Sequence, residues 1–260
     1  MKIYIITDIE GISGMCVFQQ SREPGPENER ARHLLMGDVN AAVQGCLDGS
    51  ADEVVVLDGH GSGFNFIMEE MHPGGFFVTG IQRPQVFCGL DETFDAVLLV
   101  GYHAMMGTET GMLHHTQSSK DENRYWYNDR ETGEIGQMAI MVGQYDLPIV
   151  LVTGDRAACD EAKSFLGEEV VTVSVKEGYG RQCGKLIAPQ KARQLIRDGA
   201  KEAMTRIQKV RPSKPTLPIE GRLQFKSKDI ADQFTPRRAK RVDERTFSAT
   251  FEEALDILWF

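Results

Sequence analysis

Five side chains able to bind a metal or move a proton stand where apolar runs of this chain end or a helix begins. Lys2-Ile3-Tyr4-Ile5-Ile6-Thr7 has the β-branched, aromatic pattern of a buried strand, and it stops at Asp8-Ile9-Glu10. If the chain stays extended through residue 10, Asp8 and Glu10 project from one face, because side chains alternate along a strand. Two carboxylates that close repel each other, and burial raises their pKa values unless a cation lies between them. A metal site is one reading; acids that face solvent or cap a turn at Gly11 and Gly14 are the other. A second run, Glu53 to Leu57, leads into Asp58-Gly59-His60, a third, Phe94 to Tyr102, leads into His103, and Glu134 opens a helix. Together these give three carboxylates and two imidazoles with no thiolate, an oxygen and nitrogen set that suits zinc, with manganese or cobalt as substitutes. Five ligands exceed what one catalytic zinc takes, and two metals sharing a bridging carboxylate would use the surplus.

The elements needed to position these groups can be read along the chain. Residues 27–49 carry Ala31, Leu34, Leu35, Val39, Ala42, Val43, Cys46 and Leu47 at helical spacing. Strand, helix, strand within the first sixty residues implies a right-handed parallel crossover, which puts both strand ends on one sheet edge, where ligands of open α/β sheets gather. A short apolar piece at 75–80, the strand 94–103, a glycine-bearing loop 104–119 holding His114 and His115, a strand at 124–127 turning at 128–130, and a helix from 133 to about 144 follow. Strands are expected at 148–155 and 170–175, with helices at 157–166, where Asp155 is placed as an N-cap, and at 192–208, opened by Pro189. Beyond Pro215 come a short helical piece near 229–234, a strand near 246–251 and a terminal helix 252–260. The expected fold is α/β: a mostly parallel central sheet flanked by helices (1–210), with a smaller C-terminal α+β lobe (211–260) that is either separate or part of the same domain.

Composition narrows the function classes. With 260 residues and 41% hydrophobic content the chain can bury a large core. A net charge of -9 opposes nucleic-acid binding, and the one basic run, Arg237 to Arg241, reads as a solvated or subunit-contact segment. No apolar stretch is long enough to span a membrane, no signal-peptide pattern opens the chain, and the expected location is the cytoplasm. Cys16, Cys46, Cys88, Cys159 and Cys183 are scattered and odd in number, which fits free thiols rather than a disulfide framework or a thiolate zinc site.

The stretches DIEGISG (8–14), DGHGSG (58–63), GLDETFDA (89–96), GYHAMMGT (101–108), LHHTQSS (113–119), GEIG (133–136) and LVTGD (151–155) together resemble the zinc-dependent D-aminopeptidase family associated with bacterial dipeptide-transport operons. The resemblance runs through residues 1–210 in order and spacing. It implies two zinc ions per subunit, with Asp8 bridging them, Glu10 and His60 completing one site, and His103 and Glu134 the other. It places the catalytic histidine at His115, with His114 as its neighbour, and the family casts that histidine as the nucleophile; general base and oxyanion donor are chemically equal alternatives. The implied reaction removes the N-terminal residue from short peptides, with a D preference, and the implied assembly is a homo-oligomeric ring of ten subunits around a chamber. The competing readings are L-aminopeptidase, another amidase, a phosphoesterase whose anion clamp would be Lys120 or Arg124, and a non-catalytic peptide- or metal-binding protein.

Overall fold

The computed structural model of the chain describes residues 1–260. Its elements in order are β1 (Lys2–Thr7), the short α1 (Gln19–Arg22), α2 (Pro26–Asp48), β2 (Glu53–Asp58), β3 (Phe76–Val78), β4 (Ala96–Tyr102), β5 (Arg124–Tyr127), β6 (Arg130–Glu131), α3 (Glu134–Val142), β7 (Ile149–Asp155), α4 (Arg156–Leu166), β8 (Val171–Gly180), β9 (Cys183–Leu186), α5 (Pro189–Met204), β10 (Ile219–Gln224), α6 (Lys228–Ala231), β11 (Lys240–Arg241) and β12 (Thr246–Phe251). The central sheet has the order β3-β2-β1-β4-β7-β8-β9, parallel throughout except for the antiparallel β9. A second, antiparallel sheet runs β11-β12-β10-β5-β6, so residues 124–131 share a sheet with strands from the C-terminal fifty residues.

Alternation along β1 divides the interior into two cores. Ile3 and Ile5 face the layer holding α2 and α5, with Leu35, Val39 and Ile196, while Tyr4 and Ile6 face the layer of α3, α4 and the second sheet. A sheet covered on both faces needs apolar residues at successive positions, which is why β1, β4 and β7 read as continuous hydrophobic runs. Each such isoleucine or valine contributes about 1.5–3 kcal/mol on burial. No helix is long and apolar enough to cross a membrane.

Three sequence expectations meet a different outcome. Strand β8 runs to Gly180 and folds back as β9, because the polar stretch Lys176-Glu177-Gly178 still pairs with residues 184–186. The terminal segment makes only a single 3-10 turn, Ala254–Asp256, instead of a helix over 252–260. A nine-residue helix at a chain end is marginal alone, and here Ile257 and Phe260 bury against the second sheet while Tyr127 Oη donates to the Ile257 carbonyl at 3.0 Å. Finally, β1 ends at Thr7, so a turn closed by Ile12 N–H on the Ile9 carbonyl, rather than a strand pleat, brings Glu10 alongside Asp8.

Candidate active site

The sheet order changes direction about β1, whose neighbours β2 and β4 lie on opposite sides of it. Carboxyl ends of strands at such a switch point border the ligand crevice of open α/β sheets. Asp8 and Glu10 follow β1 there, His60 follows β2 and His103 follows β4. Glu134 arrives from the first turn of α3. Close backbone contact fixes the loop after β1: Asp8 N–H donates to the Val100 carbonyl at 2.8 Å and Gly11 N–H to the Gly101 carbonyl at 2.7 Å. Gly101 has φ +81°, and a Cβ there would lie 2.2 Å from the Asp8 carbonyl oxygen, so only glycine allows this approach.

All five groups converge. Asp8 Oδ1 is 2.9 Å from His60 Nδ1, and Glu10 Oε2 is 3.1 Å from that same nitrogen. Asp8 Oδ2 faces the other way, 3.3 Å from His103 Nε2, which lies 3.4 Å from Glu134 Oε1. Asp8, Glu10 and His103 are buried, yet Asp8 Oδ2, Glu10 Oε2 and His103 Nε2 have no hydrogen-bond partner. Three orphaned buried atoms in one cluster mark a missing partner, since buried polar atoms are otherwise almost always satisfied. The donor chemistry says what fits. Oxygen and nitrogen ligands about 2.0–2.1 Å from a tetrahedral ion lie roughly 3.3–3.5 Å from each other, close to the separations around Asp8 Oδ2 and His103 Nε2. His103 Nδ1 donates to the Ala104 carbonyl at 3.0 Å, so once the ring is neutral its Nε2 lone pair faces the cluster.

The charge balance asks for cations in the same place. Burial and the neighbouring Glu10 push the Asp8 carboxyl up to about 6. Burial opposes ionised Glu134 as well, but His103 holds it down at about 2. Burial would lower His103, yet Glu134, Asp8 and Glu10 raise it to about 10, and His60 is likewise driven well above its ordinary value by Glu10 and Asp8. In the metal-free protein these imidazoles are therefore protonated at neutral pH, and a metal must displace their protons. Loading with zinc is expected to release about two protons per chain near pH 7, and apparent affinity to weaken about 10-fold per pH unit lost for each proton that a binding event displaces. Titration of the chelated protein with zinc in a weakly buffered indicator solution measures this; loading without proton release would refute it.

His115 lies within the cluster but with a different posture. Its ring stacks on that of His103 at 3.9 Å with 11° between planes, and its Nε2 is 3.8 Å from Glu134 Oε1. Lone pairs lie in the ring plane, so two parallel rings direct theirs along separate lines instead of converging on one ion. His115 Nδ1 donates to the Leu113 carbonyl at 2.8 Å, leaving Nε2 as the free base; burial and nearby His103 lower its pKa to about 4. His115 lines a cavity of about 660 Å³ together with Asp8, Glu10, His60 and Glu134. His114 is outside that wall, where its Nδ1 accepts from Gly107 N–H at 3.2 Å.

Some residues contribute that sequence reasoning passed over. Lys176 is fully buried and its ammonium donates to the carbonyls of Glu10 (2.6 Å), Ile12 (3.1 Å) and Met15 (2.9 Å), clamping the loop that carries Glu10. Asp155 caps α4 by accepting from Ala158 N–H, as expected, and also accepts from Met112 N–H at 2.6 Å, which ties down the loop of His115. Lys120 and Arg124 do not reach the cavity wall, and Arg124 pairs with Glu131 at 2.6 Å. Arg22 and Arg83 do line it. No periodicity or motif singled out these two; only the folded wall does.

The chain as a whole matches a known family and known relatives. A family model described as D-aminopeptidase, peptidase M55, matches residues 1–260. A D-aminopeptidase of Bacillus subtilis (strain 168) is 33% identical over 228 residues, covering 85% of this chain and 81% of that protein. The solved structure of a Zn-dependent D-aminopeptidase, DppA from Bacillus subtilis, described as a self-compartmentalizing protease, aligns with a TM-score of 0.90 at 28% identity, covering 99% of this chain and 94% of that one.

Proposed function

The chain belongs to the peptidase M55 D-aminopeptidase family and is a peptidase, and on that premise we propose that it is a dinuclear zinc aminopeptidase releasing an N-terminal D-residue from short peptides. The observation that carries the two-metal reading is Asp8, whose oxygens face His60 and His103 separately. Asp8 would bridge the ions, with Glu10 and His60 holding one and His103 and Glu134 the other. Zinc rests on the Zn-dependent relative and on the oxygen and nitrogen donor set. When bound, the pair supplies Lewis acidity that activates water, polarises the scissile carbonyl and receives the free α-amine.

The protein's own groups do the rest. His115 enters neutral, with its Nδ1 proton engaged by Leu113. Its Nε2 accepts a proton as the nucleophile adds to the carbonyl and returns it to the departing amine, the general base and acid role among the alternatives. Stacking on His103 holds the ring in place for this transfer. Self-compartmentalization in the relative supports a homo-oligomer here, which we take to be a ring of ten subunits. Five free cysteines fit a cytoplasmic setting.

The test is hydrolysis of paired D-alanyl and L-alanyl p-nitroanilides by zinc-reconstituted protein, with and without chelator, alongside elemental analysis. Turnover that chelator abolishes, a D preference and two zinc ions per chain are expected. An L preference would overturn the stereochemical assignment, and one zinc per chain would overturn the bridging role of Asp8.

A further inference from the structure

Apart from the metal-binding set and His115, the only charged side chains on the wall of the 660 Å³ cavity are Arg22 and Arg83. Both are cations in a chain of net charge -9, and neither is ion-paired. Neutral groups hold them instead. Arg22 donates from Nε to Ser119 Oγ at 2.7 Å and from Nη2 to the Ser119 carbonyl at 2.6 Å, and its guanidinium lies 3.7 Å above the Phe18 ring centroid. Arg83 donates from Nη1 to the Asp58 carbonyl at 3.0 Å and from Nη2 to the Gly61 carbonyl at 3.5 Å. Each guanidinium is thus fixed by two bonds, with donors left over. Arg22 Nη1 has no partner in the chain. Fixed forks with spare N–H groups recognise carboxylates in a bidentate way at small entropic cost.

We propose that Arg22 and Arg83 form a carboxylate subsite that takes the free C-terminus of a short peptide whose α-amine is held in the acid cluster. This inference rests on the aminopeptidase reading and specifies its substrate as short peptides with a free C-terminal carboxylate. The cavity gives a physical reason for this choice: one wall carries both the acid cluster that takes an amine and two cations suited to the opposite charge. An amidated peptide offers them no charge.

Zinc-reconstituted full-length protein tests this with D-alanylglycine against D-alanylglycinamide, which differ only in the C-terminal charge. The free acid is expected to be favoured in kcat/KM by roughly 10-fold or more, mostly through KM, as charge-assisted bonds to a carboxylate predict. Arg22→Gln and Arg83→Gln should each reduce that ratio several-fold, the double variant should bring it near unity, and Arg22→Lys should keep part of it by retaining the charge. Zinc content and melting temperature report that each variant is folded, and calorimetric titration of the same two peptides supplies a binding readout. D-alanyl p-nitroanilide, which has no carboxylate, probes the peptidase reading separately: no turnover of the anilide or of either peptide sinks the aminopeptidase assignment, while unequal binding of the two peptides would still uphold the subsite. Equal handling of acid and amide by the unsubstituted protein, or a ratio that survives in the double variant, would overturn the proposal.

Discussion

His115→Ala is expected to lower kcat roughly 10²–10⁴-fold, the usual contribution of a positioned general acid or base, while zinc content stays that of the unsubstituted protein. The split between rate and metal follows from geometry. His115 belongs to a group of potential ligands with His103 and Glu134, so loss of zinc along with rate is the main rival outcome. Its ring is parallel to His103 and its Nε2 sits 3.8 Å from Glu134, farther than any separation among the other five groups described above. Its Nδ1 proton is committed to the Leu113 carbonyl, so Nε2 is free to cycle a proton. Kinetics and elemental analysis on the same preparation decide: a variant short of one zinc makes His115 a ligand. His114→Ala serves as the control for the loop register. Because His114 meets Gly107 N–H and not the cavity, its loss should cost far less in rate than that of His115. A reversed ranking would move the role to His114.

How much of this was written in the sequence depends on whether a residue's task is local. Apolar runs that stop in acid or imidazole announced β1, β2 and β4 and the groups at their ends, because a strand buried on both faces has a composition no loop shares. Parallel pairing then dictated that those ends meet. Asp155 as the cap of α4 was legible for the same reason, since an N-cap is fixed by its own next three residues. What escaped depends on distant contacts. Lys176 reads as a solvated charge after an apolar run, and nothing near it in sequence shows that the carbonyls of residues 10, 12 and 15 surround it. Arg22 and Arg83 occupy segments without periodicity, and their shared wall exists only after folding. The last nine residues failed differently: Ala254, Ile257 and Phe260 have helical spacing, but docking on the second sheet satisfied them without a helix.

Lys176→Met is expected to lower the melting temperature by on the order of 10 °C and to weaken the zinc position formed by Glu10 and His60 more than the one formed by His103 and Glu134. Methionine nearly matches the length and volume of lysine, so the main change is loss of the ammonium. Three buried carbonyls, those of Glu10, Ile12 and Met15, then lose their donor. Each orphaned group costs about 1–3 kcal/mol, and a chain of this size loses roughly 2–4 °C per kcal/mol. The carboxylates of Asp155, Glu10 and Asp38 lose the cation that offsets them as well. Relief comes most readily if the 10–15 loop swings its carbonyls toward water, and that motion carries the Glu10 carboxylate out of reach of His60 while leaving His103, just after β4, and Glu134, on α3, in place. Stepwise zinc titration of the variant should therefore show one site near its original affinity and one much weaker, with a smaller gain in melting temperature on zinc addition than the unsubstituted protein shows. Two sites of unchanged affinity and an unshifted melting temperature would mean that the loop is held by its contacts to β4 alone, and that Lys176 merely fills space.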